Sequence, residues 1–445
     1  MKLSLLEILE ATGGGEVGGT QVGNVFSTFH TDSREVVQGG VFFALRGAEM
    51  DGHLFIDDAI SRGAAAVVVQ RRMSIPSGIV EVLVTDTWAA LYALASEVRR
   101  RVHPLVVAIT GSNGKTSTRE MVAAVLAQGF NVHRTTGNLN TETGVPLTML
   151  RLEPDHTALV VEMGMQRGGD IGRLVALARP SIGIITNIGR VHMEFFEAQE
   201  DLAREKGQLV AGLPKDGLAV LNADDAFYAL LAEMTPARIS SFGFADALFR
   251  VEDYRPLEGA GSHFSVRGVD VRLSLGGRHQ ALNAAAALAA GEFAGVPLEA
   301  GAEALGHVAV EHRLEEVKTP GGYSIIDDAY NASPESMLAA FEALAERPKH
   351  GRLLAVLGRM GELGAAAEES HRMVGRRAAE VFDLVCVVEG EDAGLLAEAA
   401  HAELVADREA AADWVRRNAR DGDLVLVKAS HGVHLEELVQ ALTAQ

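Results

Sequence analysis

The segment Thr110-Gly111-Ser112-Asn113-Gly114-Lys115-Thr116-Ser117-Thr118 follows the apolar run Val106 to Ile109. It brings glycines, an amide, a lysine and hydroxyls to the point where a strand hands over to a helix. Those residue types in that order suit a phosphorylated ligand. Gly111 and Gly114 let backbone N–H groups approach phosphate oxygens with no Cβ in the way, and a helix starting near Lys115 turns its positive end on the same point. Lys115 can neutralise β/γ-phosphate charge and the Thr116 hydroxyl can hold Mg²⁺, while Ser112, Asn113 and Ser117 complete the cradle. The register departs from G-x-x-x-x-G-K-[ST], because Ile109 stands where that pattern has its first glycine.

Other residues could serve the same chemistry. Glu162 ends the run Leu159-Val160-Val161, and Thr186-Asn187-Ile188-Gly189-Arg190-Val191-His192 follows another apolar run. Both would lie at the carboxyl edge of a sheet, where open α/β folds bind ligands. Glu162 and His192 could meet the metal held by Thr116, although hard Mg²⁺ prefers oxygen, and an ordinary surface or core histidine stays equally open. Lys206, 14 residues further on, sits in a charged helical stretch where a lysine is ordinarily solvated, so spacing assigns it nothing. Asp327-Asp328-Ala329-Tyr330-Asn331 puts carboxylates at a strand end before a helix start at Pro334. Ribose or metal binding and plain capping by Ser333 are both compatible with that pattern. Asn283, ahead of an alanine-rich helix, could be a simple cap.

The elements that must position these groups read as three α/β domains, since 445 residues exceed what one core usually organises. Residues 1–103 carry short strands such as Val41 to Leu45, Ala65 to Val69 and Val80 to Val84. His103-Pro104 marks a boundary. Residues 104–312 alternate apolar strands at 158–162, 182–188 and 217–221 with amphipathic helices, the pattern of a parallel sheet covered on both faces. Period-two alternation predicts an antiparallel insertion over 239–276. Residues 313–445 repeat the alternation, with strands near 323–327, 352–357, 384–388 and 423–428, as in a Rossmann-like domain. The formal charge of −20, with no basic run, makes nucleic acid an unlikely partner. Cys386, the single cysteine, cannot form an internal disulfide and reads as a buried strand residue. No stretch is apolar over about 18 residues. A soluble, cytoplasmic monomer is expected.

In order, TGSNGKTST (110–118), GNLNTETGVPLTML (137–150), EMG (162–164), TNIGRVHME (186–194), LNADD (221–225), DDAYNASPESM (327–337) and LGRMGELG (357–364) resemble the Mur ligases over essentially the whole chain. The last two motifs are similar to the branch that joins D-Ala-D-Ala to UDP-N-acetylmuramoyl tripeptide. The resemblance implies an ATP-dependent, ADP-forming ligase of peptidoglycan synthesis, and with it a part in cell wall biogenesis, cell shape and division. The tripeptide carboxylate would become an acyl phosphate that the dipeptide amine attacks, with no protein nucleophile. It further implies two Mg²⁺ ions, with Thr116, Glu162, His192 and a carbamylated Lys206 around them. Asn283 would face adenine, Arg313 a phosphate and Asp328 the ribose. Ser33, Arg34, Arg46, Asp51 and His53 would grip the uridine nucleotide. Asn140, Thr141 and Asn331 would meet the rest of the substrate, and Lys428-Ala429-Ser430 would close over ATP. Arg359, Ser333, His312 and His431 stand where the family usually has aspartate, asparagine, glycine and arginine.

Three other readings compete, one of them a binding protein that keeps the fold without activity. A sister ligase adding the third amino acid would carry an Asp-Asn-Pro-Arg signature, which this chain lacks. A non-ligase P-loop ATPase would need only the loop.

Overall fold

The computed structural model describes residues 1–16, 24–47, 50–189, 196, 198–257, 261–310, 312–347 and 351–443. His192 lies outside them. The chain forms two compact units, one of residues 1–108, 130–165 and 169–181, the other of 109–129, 166–168 and 182–445.

In the first unit a five-stranded sheet runs in the order Gly15–Glu16, Val80–Leu83, Ala66–Val69, Val41–Phe43, Phe29–His30. Its four last-named strands are parallel and the first pairs antiparallel. Strands as apolar as Val41–Phe43 and Ala66–Val69 are buried throughout, as a sheet covered on both faces requires. Helix Thr87–Val102 is capped by Asp86, whose carboxylate accepts from the Trp88 and Ala89 N–H groups. Elsewhere in this unit Ala158–Glu162 pairs in parallel with Val132–Arg134.

In the second unit helix Lys115–Leu126 buries Met121, Val122, Val125 and Leu126. It packs against helix Arg278–Phe293, whose run Ala284 to Ala287 lets the two axes come close. Strands Ile182–Ile185, Leu218–Asn222, Arg238–Gly243 and Phe249–Pro256 pair successively in parallel. Only then do Ser262–Val266 and Val269–Leu273 add antiparallel hairpin strands. The antiparallel segment therefore starts later than its alternation suggests. Arg238–Gly243 follows helix Tyr228–Met234, a crossover that delivers a parallel strand.

The last sheet of this unit contains β1 (Glu315–Lys318), β2 (Ser324–Asp327), β3 (Leu353–Leu357), β4 (Leu384–Val388), β5 (Glu403–Val405) and β6 (Leu424–Lys428), in the order β1-β2-β6-β3-β4-β5. Only β1 is antiparallel to its neighbour. Helices α1 (Pro334–Ala345), α2 (Ala367–Val381) and α3 (Ala393–Ala400) share one core with Ile326, Leu353, Ala355 and Leu426. Helices α4 (Arg408–Asn418) and α5 (Leu435–Thr443) share the other with Ile325, Leu354, Val356 and Cys386. The chain leaves β2 and β3 toward one face and β6 toward the opposite face. That is the switch point at which such sheets open a crevice beyond their carboxyl ends.

Candidate active site

At the end of strand Leu105–Thr110 the chain turns through Gly111, at φ +148°, and Gly114, at φ +83°, before helix Lys115–Leu126. A Cβ on Gly111 would lie 1.9 Å from the Thr186 hydroxyl oxygen, and one on Gly114 2.7 Å from Asn283 Oδ1. Neither position admits a side chain. Asn113 is tied on every side. Its N–H donates to Asn187 Oδ1 (3.0 Å), its carbonyl accepts from the Thr186 hydroxyl (2.6 Å) and Asn187 Nδ2 (3.1 Å), and its Oδ1 accepts from the Ser333 hydroxyl (3.0 Å). The Ser112 hydroxyl accepts from Gly189 N–H at 2.8 Å. Lys115 Nζ lies 2.8 Å from the Gly111 carbonyl and 3.0 Å from that of Ser112, inside the loop.

This loop is one wall of a cavity of about 270 Å³. Asn113, Gly114, Thr116 and Ser117 meet there with Thr186, Asn187, His279 and Asn283, and with Arg313, Asp328, Glu335 and Lys428. Asn283 is not a cap. It lies inside helix Arg278–Phe293, and its Nδ2 donates to Gln280 Oε1 at 3.1 Å, which leaves its carbonyl oxygen toward Gly114. Of the two adjacent aspartates, Asp327 turns away from the cavity to pair with His312 Nδ1 (2.6 Å) and to accept from Ala329 N–H. Asp328 forms an ion pair with buried Lys428 at 2.6 Å, and Lys428 also donates to the Asn331 carbonyl at 2.9 Å. Burial pulls the Lys428 ammonium below its ordinary proton affinity, and Asp328 opposes that pull. The Arg313 guanidinium lies 4.4 Å over the Tyr330 ring. Ser333 does cap α1, accepting from Ser336 N–H at 3.2 Å, while holding Asn113.

Lys206 is not solvated as its charged helix suggests. It is 1% exposed, and its Nζ lies 3.1 Å from the Gly111 carbonyl. Burial, reinforced by the neighbouring Lys115 cation, lowers its pKa well below that of a free lysine. Spacing does not single out His279, yet its imidazole lines the cavity. Burial outweighs the opposing pull of Asp328 and holds its pKa at about 4, so the ring is neutral at physiological pH. Thr186 and Asn187 are legible only as part of a strand-end motif, and Glu335 only as a helix first-turn acid.

In the first unit Glu162 is buried at the end of its strand, where its Oε1 accepts from Asn140 Nδ2 at 2.8 Å. Asn140 also accepts from Gly164 N–H through its carbonyl, so it orients the carboxylate. The Thr141 hydroxyl lies 3.2 Å from that of Thr143. His53 is buried with both ring nitrogens in use. Nδ1 pairs with Asp51 at 2.6 Å, and Nε2 accepts from Gln70 N–H at 3.0 Å. It therefore acts through Asp51, whose pKa falls to about 2, chiefly because the carboxylate accepts from the His53 backbone N–H. The backbones of Arg46 and Asp51 pair in an isolated antiparallel β-bridge, and the Arg46 carbonyl accepts from the Trp88 indole at 3.0 Å. Ser33 is buried in a short 3₁₀ turn, whereas the Arg34 side chain extends into solvent beside Asp32. Among the described residues no group of three or more His, Cys, Asp or Glu side chains is arranged to hold a metal ion.

Three family profiles match the chain: Mur ligase family, catalytic domain over residues 26–131, Mur ligase middle domain over 109–291, and Mur ligase, glutamate ligase domain over 312–431. The UDP-N-acetylmuramoyl-tripeptide–D-alanyl-D-alanine ligase of Bacillus subtilis is 36% identical over 93% of this chain and 92% of its own length. The chain belongs to the Mur ligase family. The Escherichia coli enzyme of the same name is 35% identical to this Mur ligase over 96% of both. Crystal structures of MurF from Acinetobacter baumannii superpose with a TM-score of 0.89 at 28% identity, covering 100% of this chain and 99% of theirs. MurF ligase from Thermotoga maritima in complex with ADP gives 0.84 at 32% identity, over 93% and 96%.

Proposed function

We propose that this Mur ligase joins D-Ala-D-Ala to UDP-N-acetylmuramoyl tripeptide at the expense of ATP, the last amino-acid addition to the soluble peptidoglycan precursor. The observation that carries the reading is the convergence of the glycine loop, Asn283, Arg313, Asp328 and Lys428 on one cavity, in a chain matched end to end by ligases of that name.

ATP enters with its phosphates on the N-terminus of helix Lys115–Leu126. There the N–H groups of the loop, already fixed in place by the strand end, and the Lys115 ammonium stabilise the anionic oxygens. Asn283 reads the adenine, Asp328 the ribose and Arg313 a phosphate. The tripeptide carboxylate oxygen bonds to the γ-phosphorus as the bond to ADP breaks. The dipeptide amine then adds to the acyl carbon, and the tetrahedral intermediate expels phosphate. Catalysis consists of positioning and of neutralising charge, for which a preorganised loop suffices.

Mg²⁺, two ions by the family's pattern, would neutralise phosphate charge during transfer. Thr116, Glu162, His192 and a carbamate on Lys206 would hold it. Hydroxyl and carboxylate oxygens suit this hard cation, and the state of Lys206 fits the carbamate. A fully buried amine beside another cation favours the neutral, nucleophilic form, which adds CO₂ and releases a proton to become an anion.

Ser33, Arg34, Arg46 and Asp51 with His53 behind it grip the uridine nucleotide. Thr141, with Asn140 behind Glu162, faces the muramoyl peptide, and Asn331 the incoming dipeptide. Domains of residues 1–103, 104–312 and 313–445 divide this work. Because ATP and a nucleotide-linked precursor are cytoplasmic, the enzyme works there; it acts as a monomer, and its loss would impair cell wall biogenesis, shape and division. Among the described residues no helix is long and apolar enough to cross a membrane.

Tripeptide labelled with ¹⁸O in its terminal carboxylate tests the chemistry. One labelled oxygen should appear in released phosphate for each peptide bond formed. Unlabelled phosphate would rule out an acyl phosphate.

A further inference from the structure

The loop Gly358–Leu363 leaves β3 at the switch point of the last sheet, beside the end of β6 where Lys428 lines the nucleotide cavity. Its backbone is fixed residue by residue. Gly358 N–H donates to the Lys428 carbonyl (3.1 Å), the Arg359 carbonyl accepts from Ser430 N–H (3.0 Å), and Gly361 N–H donates to the Ser430 hydroxyl (2.7 Å). Between them the Met360 N–H is buried and donates to Nε2 of His371 at 3.0 Å.

His371 is an unusual choice for its place. On α2 it shares the buried stripe with Val374, Gly375 and Ala378, and it is 1% exposed. A leucine would fill that position without polar atoms to satisfy, whereas a buried imidazole is tolerated only when both nitrogens are bonded. Both are. Nδ1 lies 2.8 Å from the Ala367 carbonyl, which only accepts, so Nδ1 carries the proton; the Met360 N–H only donates, so Nε2 offers its lone pair. Met360 and Leu363 sink their side chains into the core beside Val374 and Ala378. With those anchored and Met360 N–H held, Arg359, Gly361 and Glu362 are left outside the core, where the Arg359 guanidinium pairs with the exposed Glu391 at 3.1 Å.

We propose that His371, as the neutral Nδ1–H tautomer, is the positioning residue that sets this loop for the amine substrate, a dipeptide carrying a free carboxylate. The inference rests on the ligase reading above and deepens it. ATP occupies the crevice between the ends of β2 and β6, and the amine must reach the acyl carbon from the neighbouring edge. That edge is the β3 loop, whose cation, Arg359, would exchange its exposed partner Glu391 for the dipeptide carboxylate. Ser430 ties the loop to the nucleotide side, since its hydroxyl lies 3.4 Å from the Ala332 carbonyl on the β2 loop.

The test compares His371→Leu, which keeps the volume and removes the acceptor, with His371→Gln, whose amide oxygen can reach the Met360 N–H. Loss of this hydrogen bond should raise KM for D-Ala-D-Ala roughly tenfold in His371→Leu. KM for ATP and for the UDP-linked tripeptide should stay within about twofold, and His371→Gln should recover most of the loss. Long-range ¹H–¹⁵N spectra of the full-length protein, assigned by the signal missing in His371→Gln, should show the proton on Nδ1. An active His371→Leu enzyme with unchanged dipeptide KM would overturn the inference and leave the ligase reading standing. Equal loss toward all three substrates would also overturn it, as would a wild-type His371 protonated on Nε2, a result that holds even if His371→Leu does not fold. A wild type that turns over no dipeptide overturns both.

Discussion

Lys206 owes its candidate chemistry to burial, not to sequence spacing. The charged helix around it predicts a solvated ammonium, but the fold places the amine against the Gly111 carbonyl and next to Lys115, where the neutral form is favoured. Lys206→Ala should lose nearly all ligase activity, and short carboxylic acids should restore part of it by occupying the place of the carbamate. Unaltered activity in that variant would remove Lys206 from the site. Gly111 makes a second residue-scale case. Its φ of +148° and the 1.9 Å that would separate an added Cβ from the Thr186 hydroxyl oxygen mean that Gly111→Ala should cost about 2 kcal/mol or more of stability and abolish nucleotide binding. Urea unfolding and ATP titration would check both, and a variant that binds ATP normally would show that the loop yields. At this scale the glycine loop is fully legible in the sequence because its chemistry is local. His279 is not, since only the tertiary fold brings its ring to Asp328 and Lys428.

Elements, in turn, determine which of two adjacent residues does the work. Strand alternation at the end of β2 sends Asp327 to His312 and Asp328 to Lys428 at the end of β6, a division that no spacing rule predicts. His312 has φ +54°, the left-handed region that explains a glycine preference at this place, and its imidazole bond to Asp327 accompanies that conformation. Because the Asp328–Lys428 pair is buried, Lys428→Met should strand a carboxylate and destabilise the protein by about 3 kcal/mol. Asp328→Asn/Lys428→Met together should cost less than Lys428→Met alone. Denaturant midpoints of the variants measure this, and strictly additive losses would mean the two groups are independent. Long apolar strands such as Ala158–Glu162 and Leu384–Val388 are readable from sequence to within a residue or two. Short pieces such as Glu403–Val405 are not, because three residues carry too little pattern and are held by their neighbours.

For the whole molecule, the formal charge of −20 makes the local gathering of Lys115, Arg313 and Lys428 around one cavity the more telling feature. Acid should weaken the fold through histidines that burial keeps neutral. His133 and His279 titrate near 6.5 when free and near 4 in the folded protein, so the unfolded chain binds protons more readily between those values. Their contribution is complete above about pH 6.5 and falls as pH drops toward 4. His133→Gln, which can keep a bond to the Thr148 carbonyl, should lose less stability between pH 7 and 5 than the wild type does. Identical losses would assign the acid sensitivity elsewhere. Fold class and the ligase family can be read from the order of motifs along the chain, while the coupling of loop, strand end and crevice needs the structure. The central claim is best tested by following phosphate release from ATP and Mg²⁺ with UDP-N-acetylmuramoyl tripeptide, with and without D-Ala-D-Ala, and weighing the product. Release that requires both substrates and yields the pentapeptide is the predicted result; release indifferent to them, or a product lacking the dipeptide, would contradict the assignment.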